Sequence, residues 1–364
     1  MKVALIHDFL TQYGGAEKVL ESFHEIWPQA TIFTLFYNKK AMKDKFADCD
    51  IRVSPIQNLP FGAKKYRWYL PLMPSAIERF NLKEYDLVIS DCSAYAKGVI
   101  THPHTCHLSY IHTPTRYLWS DSHEYIDSLK GGEKLMSKFA APFLTQLRIW
   151  DKLAAQRPDA LIANSKFVAK RIKHYYEKES IVIYPPVEID NFKISKKIDN
   201  YFLVVSRLRP YKRVDLAIKA FNNLKMPLKI IGGGDRKGLE KIAGPNIEFL
   251  GFVSDKEKAE YLSHCQALIH PQEEDFGITA IEAMACGRPV IAYQSGGVSE
   301  TIIDNQTGML FKEQTWESLA EKVIKFNLKD FDPEKIRKHA LGFSKDRFKK
   351  EILDFVNSYV KKGK

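Results

Sequence analysis

Tyr184-Pro-Pro-Val-Glu-Ile-Asp-Asn-Phe-Lys-Ile-Ser-Lys-Lys-Ile-Asp-Asn200 divides the sequence into two halves that read alike. Two adjacent prolines and a charged, polar run interrupt the alternation of strands and helices on either side, as an interdomain linker does. Upstream, residues 2–7 form a continuous apolar run, typical of a strand covered on both faces. It is broken at His7 and Asp8, and a polar loop is expected over 8–15. Val19, Leu20, Phe23, Ile26 and Trp27 then recur at helical spacing. Further strand-like runs are 30–36, 87–90, 107–112 and 160–164. Downstream the rhythm restarts, with strands expected at 201–206, 228–231, 246–252, 267–270 and 289–293 and helices at 214–222 and 280–286. Such alternation implies parallel sheets with helices on both faces. The expected organisation is a first α/β domain over 1–190, a second over 200–345, and a helix over 346–364 packing back toward the first. These two doubly wound, Rossmann-like domains are expected to face a central cleft.

Size and composition agree. The 364 residues exceed one ordinary core, and 45% hydrophobic with 27% charged residues is a soluble globular balance. Cys49, Cys92, Cys106, Cys265 and Cys286 are odd in number and contain no CxxC pair, which suits a reducing cytoplasm rather than a disulfide framework. No run of about 18 apolar residues is present, so no transmembrane helix is expected. Met1-Lys-Val-Ala-Leu-Ile-His-Asp8 reads as a first strand, not a signal peptide. The net charge of +11 favours an anionic partner: phosphorylated ligand, anionic membrane face or nucleic acid.

Four elements carry candidate chemistry. In Glu274-Asp-Phe-Gly-Ile-Thr-Ala-Ile-Glu282, Gly277 allows close backbone approach, and the amides near Ile278 and Thr279 are first-turn donors of a helix, where phosphate binds well. Glu274 lies before the helix and Glu282 two turns in. The same residues also suit an acidic cap followed by a solvated glutamate. Ser206-Arg-Leu-Arg-Pro-Tyr-Lys-Arg213 follows a strand. Arg207 offers a planar fork and Lys212 a point charge, together suited to a diphosphate at the sheet edge. Gly14 and Gly15 bring backbone amides to the loop after the first strand. His112 sits at a strand tip in Ser109-Tyr-Ile-His-Thr-Pro-Thr-Arg-Tyr-Leu-Trp119. Neither GxGxxG nor GxxxxGK[ST] occurs, so a dinucleotide cofactor and P-loop ATP hydrolysis have no support. The nearby His102, His104, Cys106 and His107 match no standard metal spacing.

Taken together, Glu274-x7-Glu282 with its Gly-Arg-Pro-Val continuation, Ser206-Arg207…Lys212, Gly14-Gly15 and His112-Thr-Pro-x-Arg116 resemble family 4 of the retaining glycosyltransferases, which has the GT-B fold. The likeness runs from residue 2 to about 311. The stretch 111–119 is most similar to bacterial mannosyltransferases of O-antigen and other surface polysaccharides. The resemblance implies transfer of a hexose, mannose by the subgroup likeness, from a nucleotide diphosphate sugar such as GDP-mannose to a glycan or lipid-linked glycan. It further implies that Arg207 and Lys212 bind the diphosphate, assisted by amides of Gly277, Ile278 and Thr279. Glu274 would hold sugar hydroxyls and Glu282 the ribose, with Phe252 and Val253 contacting the base. His112 would meet the donor sugar, and Gly14 and Gly15 would border the phosphates. No metal or other cofactor is expected, since the two cations replace one.

Ala63-Lys-Lys-Tyr-Arg-Trp-Tyr-Leu-Pro-Leu-Met-Pro74 interleaves cations with aromatics and suits an anionic membrane interface as well as it suits core packing. A cytoplasmic protein, peripheral on the inner face of the cytoplasmic membrane, is the corresponding expectation. Three alternatives stand beside this reading: a nucleotide-sugar epimerase on the same fold, a basic nucleic-acid-binding protein, and a sugar-nucleotide-binding regulator that has lost activity, against which the full set of candidate residues argues. No nucleic-acid partner is expected, because no helix-turn-helix, zinc-finger or RNP motif is present.

Overall fold

The computed structural model describes residues 1–42, 45–62, 66–122 and 141–361. These fall into two compact units, Met1–Tyr184 with Lys349–Lys364, and Pro185–Phe348.

In the first unit, seven strands form one sheet: β1 (Val3–Leu10), β2 (Thr31–Tyr37), β3 (Ile51–Val53), β4 (Leu87–Cys92), β5 (Cys106–Ile111), β6 (Ala160–Ala163) and β7 (Ile181–Val182). Their order is β3-β2-β1-β4-β5-β6-β7, and every ladder is parallel. Ile6, Phe33, Phe36, Val88 and Ile111 are buried, with Tyr85 and Tyr95 in the same core. The first strand runs through Leu10, where a polar loop from residue 8 was expected. Phe9 and Leu10 continue the parallel register opposite Phe36 and Tyr37, and this apolar pairing carries the strand past the charged pair. Asp8 stays inside because its carboxylate is fully used. It accepts the amides of Ser93 (2.6 Å), Ala94 (2.8 Å), Tyr95 (2.7 Å) and Ala96 (2.7 Å), which fixes the turn after β4.

In the second unit, β8 (Phe202–Val205), β9 (Leu228–Ile231), β10 (Ile247–Gly251), β11 (Leu268–His270), β12 (Val290–Tyr293) and β13 (Gly308–Phe311) form a parallel sheet ordered β10-β9-β8-β11-β12-β13. Phe202, Val204, Phe221, Ile230, Ile269 and Phe311 make its core. Both units are Rossmann-like. In each, the strand order reverses once, between β1 and β4 and between β8 and β11. The crevice beyond the carboxyl ends at such a reversal is where open α/β sheets bind ligands.

The boundary falls at Tyr184–Pro185, ahead of residue 190, because the linker is bonded to the second unit. Val187 donates its amide to Phe343 (3.0 Å), and Arg288 reaches the Ser195 carbonyl (2.6 Å). The final helix, Lys345–Lys361, begins among residues of the second unit, and from Lys349 onward it counts with the first. There Lys349 pairs with Glu25, and Tyr359 donates to the Asp159 carbonyl at 2.9 Å. Residues 362–364 of the expected closing helix lie outside the described residues.

Candidate functional site

Beside the β8/β11 reversal, the chain segments leaving β8 and β9 are stapled together by backbone. Ser206 donates its amide to Ile231 (3.0 Å), and Leu208 to Gly233 (2.9 Å). Gly232, at φ +138°, packs so closely on the Ser206 carbonyl that no side chain fits there. This contact holds the cationic loop at the carboxyl edge of the sheet. Arg207 is exposed, and among the described residues no hydrogen bond or ion pair engages its guanidinium. Lys212 closes the short 3-10 helix Pro210–Lys212, and Pro210 presets the first turn. Its ammonium is half-buried against the Glu274 carboxylate.

Glu274 is held from several sides. Its carbonyl accepts the Gly297 amide (2.8 Å), and Gln272 Nε2 donates to its Oε1 (3.2 Å). Burial alone pushes this carboxyl up, but Lys212, then His270, outweigh it and leave it below the ordinary carboxylate range. His270, the last residue of β11, is buried and driven down to about 4. Burial is the main cause, Glu274 opposes it and Lys212 adds to it. His270 is therefore a neutral ring at pH 7, next to an ionised pair.

Gly277 initiates the helix Ile278–Ala285 at φ +89°, and no side chain caps that helix. A Cβ on Gly277 would come within 2.6 Å of Val298 Cγ2. Ile278 and Thr279, both half-buried, are the first helical residues, so their amides lie at the positive end of the helix dipole. Glu282, farther along, is already committed to an ion pair with Lys258 at 2.9 Å. At the tip of β10, Phe252 is 87% exposed with its ring packed on Gly233, and Val253 follows, half-buried.

The sequence-derived residues of the second unit thus lie on the segments that follow β8, β10 and β11, with Ile278, Thr279 and Glu282 on the helix after β11 and Lys212 and Glu274 in direct contact. In the first unit, Gly14 and His112 are joined through residues that sequence reasoning did not select. The Gly14 amide donates to Glu17 Oε2 (2.7 Å), while Gly15, exposed, opens the helix Gly15–Ile26. Glu17 Oε1 lies 3.8 Å from His7 Nε2. His7 Nδ1 meets Asp91 Oδ2 at 2.8 Å, and His112 Nε2 meets Asp91 Oδ1 at 2.6 Å. A single acid inside the apolar run of β4 was the available signal, since a buried carboxylate requires partners.

The rest of the 112–119 segment is fixed by Asp151. Its carboxylate accepts from Lys97 (2.6 Å), Thr115 (2.8 Å), Trp119 (2.7 Å) and Tyr176 (2.8 Å). His107 is a core residue, bonded to Ser90 Oγ at 2.9 Å. Of the suggested interfacial segment 63–74, residues 63–65 lie outside the described residues. Trp68 and Leu72 are exposed.

Two family profiles match consecutive parts of the chain. "Glycosyltransferase Family 4" covers residues 13–191, and "Glycosyl transferases group 1" covers 187–341. The chain belongs to glycosyltransferase family 4. It is 32% identical over 211 residues to an uncharacterized glycosyltransferase of Methanocaldococcus jannaschii, covering 56% of this chain and 58% of that protein. With the alpha-1,3/1,6-mannosyltransferase alg2 of Schizosaccharomyces pombe it shares 26% identity over 375 residues, covering 85% of this chain and 70% of that protein. The match to the M. jannaschii protein thus spans a little over half of that relative's length. The GT-B fold appears in the Anabaena protein HepE, solved in complex with UDP and glucose. It superimposes with a TM-score of 0.73 at 21% identity, over 98% of this chain and 100% of that one. For this family 4 chain, no described helix is long and apolar enough to cross a membrane.

Proposed function

We propose that this protein transfers a hexose, mannose, from GDP-mannose to a glycan or lipid-linked glycan, with retention of configuration. The observation that carries the reading is the Lys212–Glu274 pair beside the uncapped, Gly277-initiated helix at the β8/β11 reversal. Glycosyl transfer from a nucleotide diphosphate sugar puts negative charge on the departing phosphate and positive charge on the sugar carbon. Lys212, Arg207 and the amides of Ile278 and Thr279 suit the first charge, because fixed donors need no reorganisation as it grows. Glu274, kept ionised by Lys212, suits the sugar hydroxyls and the developing cation. Glu282, paired with Lys258, suits the ribose hydroxyls as an acceptor, and the Phe252–Val253 tip borders the base.

In this reading the acceptor attacks on the face the phosphate leaves, and the leaving oxygen takes the acceptor proton. Lys212 and Arg207 supply the neutralisation that a divalent cation would otherwise give. Mannose follows from the mannosyltransferase relative, whereas the UDP in HepE keeps uridine donors in the experiment. The exposed Phe61, Trp68 and Leu72 and the net charge of +11 suit a peripheral station at an anionic membrane, where lipid-linked acceptors reside.

A donor panel tests the reading. GDP-mannose, UDP-glucose and ADP-glucose, with the corresponding diphosphates, are compared by thermal shift and by diphosphate release. A ligand at 100 times its Kd stabilises by about 2.7 kcal/mol. GDP and GDP-mannose are expected to raise Tm. Absence of a shift with every diphosphate would refute the transferase reading, and a response to uridine donors alone would replace mannose.

A further inference from the structure

Asp91 sits between two histidines from different strands, and all three side chains are nearly or fully enclosed. The side chains of Asp91 and His112 are 1% and 14% exposed. The parallel register sets His7 of β1 directly opposite Asp91 of β4, and His112 follows β5 on the other side. Each oxygen of the carboxylate takes one ring: Oδ2 meets His7 Nδ1 at 2.8 Å, and Oδ1 meets His112 Nε2 at 2.6 Å.

The protonation states follow from the partners. His7 has a carboxylate on each nitrogen, Asp91 on Nδ1 and Glu17, 3.8 Å away, on Nε2. A neutral ring would turn a lone pair toward one of these anions, so His7 is an imidazolium. Burial alone favours the neutral form, yet Asp91 and Glu17 overcome it and raise the group to about 10. Asp91 is correspondingly anionic. Burial pushes it up, but His112 and then His7 hold it below the ordinary range. A carboxylate only accepts hydrogen bonds, so the nitrogen of His112 that faces it carries the proton. In the neutral His112 ring, Nδ1 then has the lone pair. Among the described residues nothing bonds to Nδ1, and it is the ring's remaining polar atom.

We propose that His7 and Asp91 are positioning residues that hold His112 as its Nε2–H tautomer, presenting Nδ1 as an acceptor for a substrate hydroxyl. Glu17 belongs to the same device: one oxygen balances His7 and the other fixes Gly14. The chain Gly14–Glu17–His7–Asp91–His112 therefore ties the glycine turn after β1 to the tip of β5. The inference rests on the transferase reading for the identity of the hydroxyl, but not for the tautomer. A buried acid orienting a histidine through one nitrogen, so that the other meets substrate, is the general logic of a base and its orienting group.

The experiment is long-range 15N spectroscopy of the full chain labelled on histidine. His7→Gln and His112→Gln each remove one signal, which assigns the two rings among the 11 histidines. At pH 7.5 the expected spectrum has His112 protonated on Nε2 only and His7 protonated on both nitrogens. Asp91→Asn turns an amide donor toward His112, which shifts the ring toward Nδ1–H. It lowers kcat on the order of 10²–10⁴-fold with the donor KM little changed. A wild-type His112 protonated on Nδ1 or exchanging between tautomers, or a neutral His7, overturns the proposal. So does an Asp91→Asn variant with an unaltered His112 signal. Should Asp91→Asn fail to fold, the wild-type spectrum decides. If no donor is turned over while the expected tautomer is seen, the transferase reading falls and the positioning stands.

Discussion

The Lys212 ammonium rests against the Glu274 carboxylate, joining the loop after β8 to the loop after β11 at the point where the strand order reverses. The pair satisfies both charges without a ligand, yet neither is deeply sealed. The side chains are 12% and 25% exposed. A diphosphate arriving beside Lys212 competes with Glu274 for the ammonium, and a sugar hydroxyl can take the place of that bond on Glu274.

The two cations of the 206–213 loop separate catalysis from stability. Arg207→Ala removes an exposed guanidinium that no described residue engages, so Tm should move by no more than about 1–2 °C. Turnover should fall by about 10²–10³-fold if the fork meets the leaving phosphate. Lys212→Ala should lose at least as much turnover and also lower Tm, because it leaves Glu274 unpaired. Melting curves and initial rates on the same preparations check both statements. Equal Tm losses in the two variants would contradict the difference in their surroundings.

Gly277→Ala should destabilise the second unit by about 1–3 kcal/mol, since the residue stands at φ +89° and its new methyl would press on Val298. The strain falls on the first turn of the helix, so donor affinity should drop with stability. Urea titration and donor binding measure the two. A variant as stable as the parent, with unchanged affinity, would show that the turn is not constrained as described.

Asp151→Asn should cost about 3–5 kcal/mol. It removes the counter-charge of the Lys97 ammonium in a site where both side chains are 1% exposed, and, with the remaining amide oxygen held by Lys97 and Thr115, it turns an NH2 donor toward Trp119 and Tyr176. The urea midpoint should fall, and Trp119 emission should shift to the red as its indole N–H loses its partner. A change within 1 kcal/mol would mean that the network is dispensable.

The two units should respond to pH in opposite directions. His7 is raised from its ordinary 6.5 to about 10, so the folded first unit binds the extra proton between those values. Its contribution is complete below pH 6.5 and is lost as pH climbs to about 10. His270 is lowered from 6.5 to about 4, so the unfolded chain binds more protons in that window. Its contribution is complete above 6.5 and is lost as pH falls to about 4. Hydrogen exchange corrected for intrinsic rates should show β1 losing protection on alkalinisation and β11 losing it on acidification. Parallel responses in the two strands would contradict the assignment.

Much of the architecture was legible because it follows from local pattern. The Pro185-Pro186 step marked the break between units, and apolar runs flanked by helical spacing marked the parallel strands. The charged loop of 206–213 and the Gly277 turn were legible for the same reason: their chemistry is written in adjacent residues. The His7–Asp91–His112 arrangement was not, since its members are 84 and 21 positions apart and meet only through strand register. Asp8 hid differently. A carboxylate that satisfies four amides looks, in sequence, like the end of a strand. The strand β13 escaped because four residues, Gly308-Met-Leu-Phe311, are too few to establish a period.

The closing helix has a consequence for biosynthesis. Lys349 and Tyr359 complete contacts with Glu25 and Asp159, residues translated hundreds of codons earlier or nearly so. On the ribosome the first unit therefore emerges long before its last piece exists, while the second can finish folding as soon as Phe348 clears the exit tunnel. The part made first is sealed last, and a released chain truncated after Phe348 would carry one complete lobe and one still open.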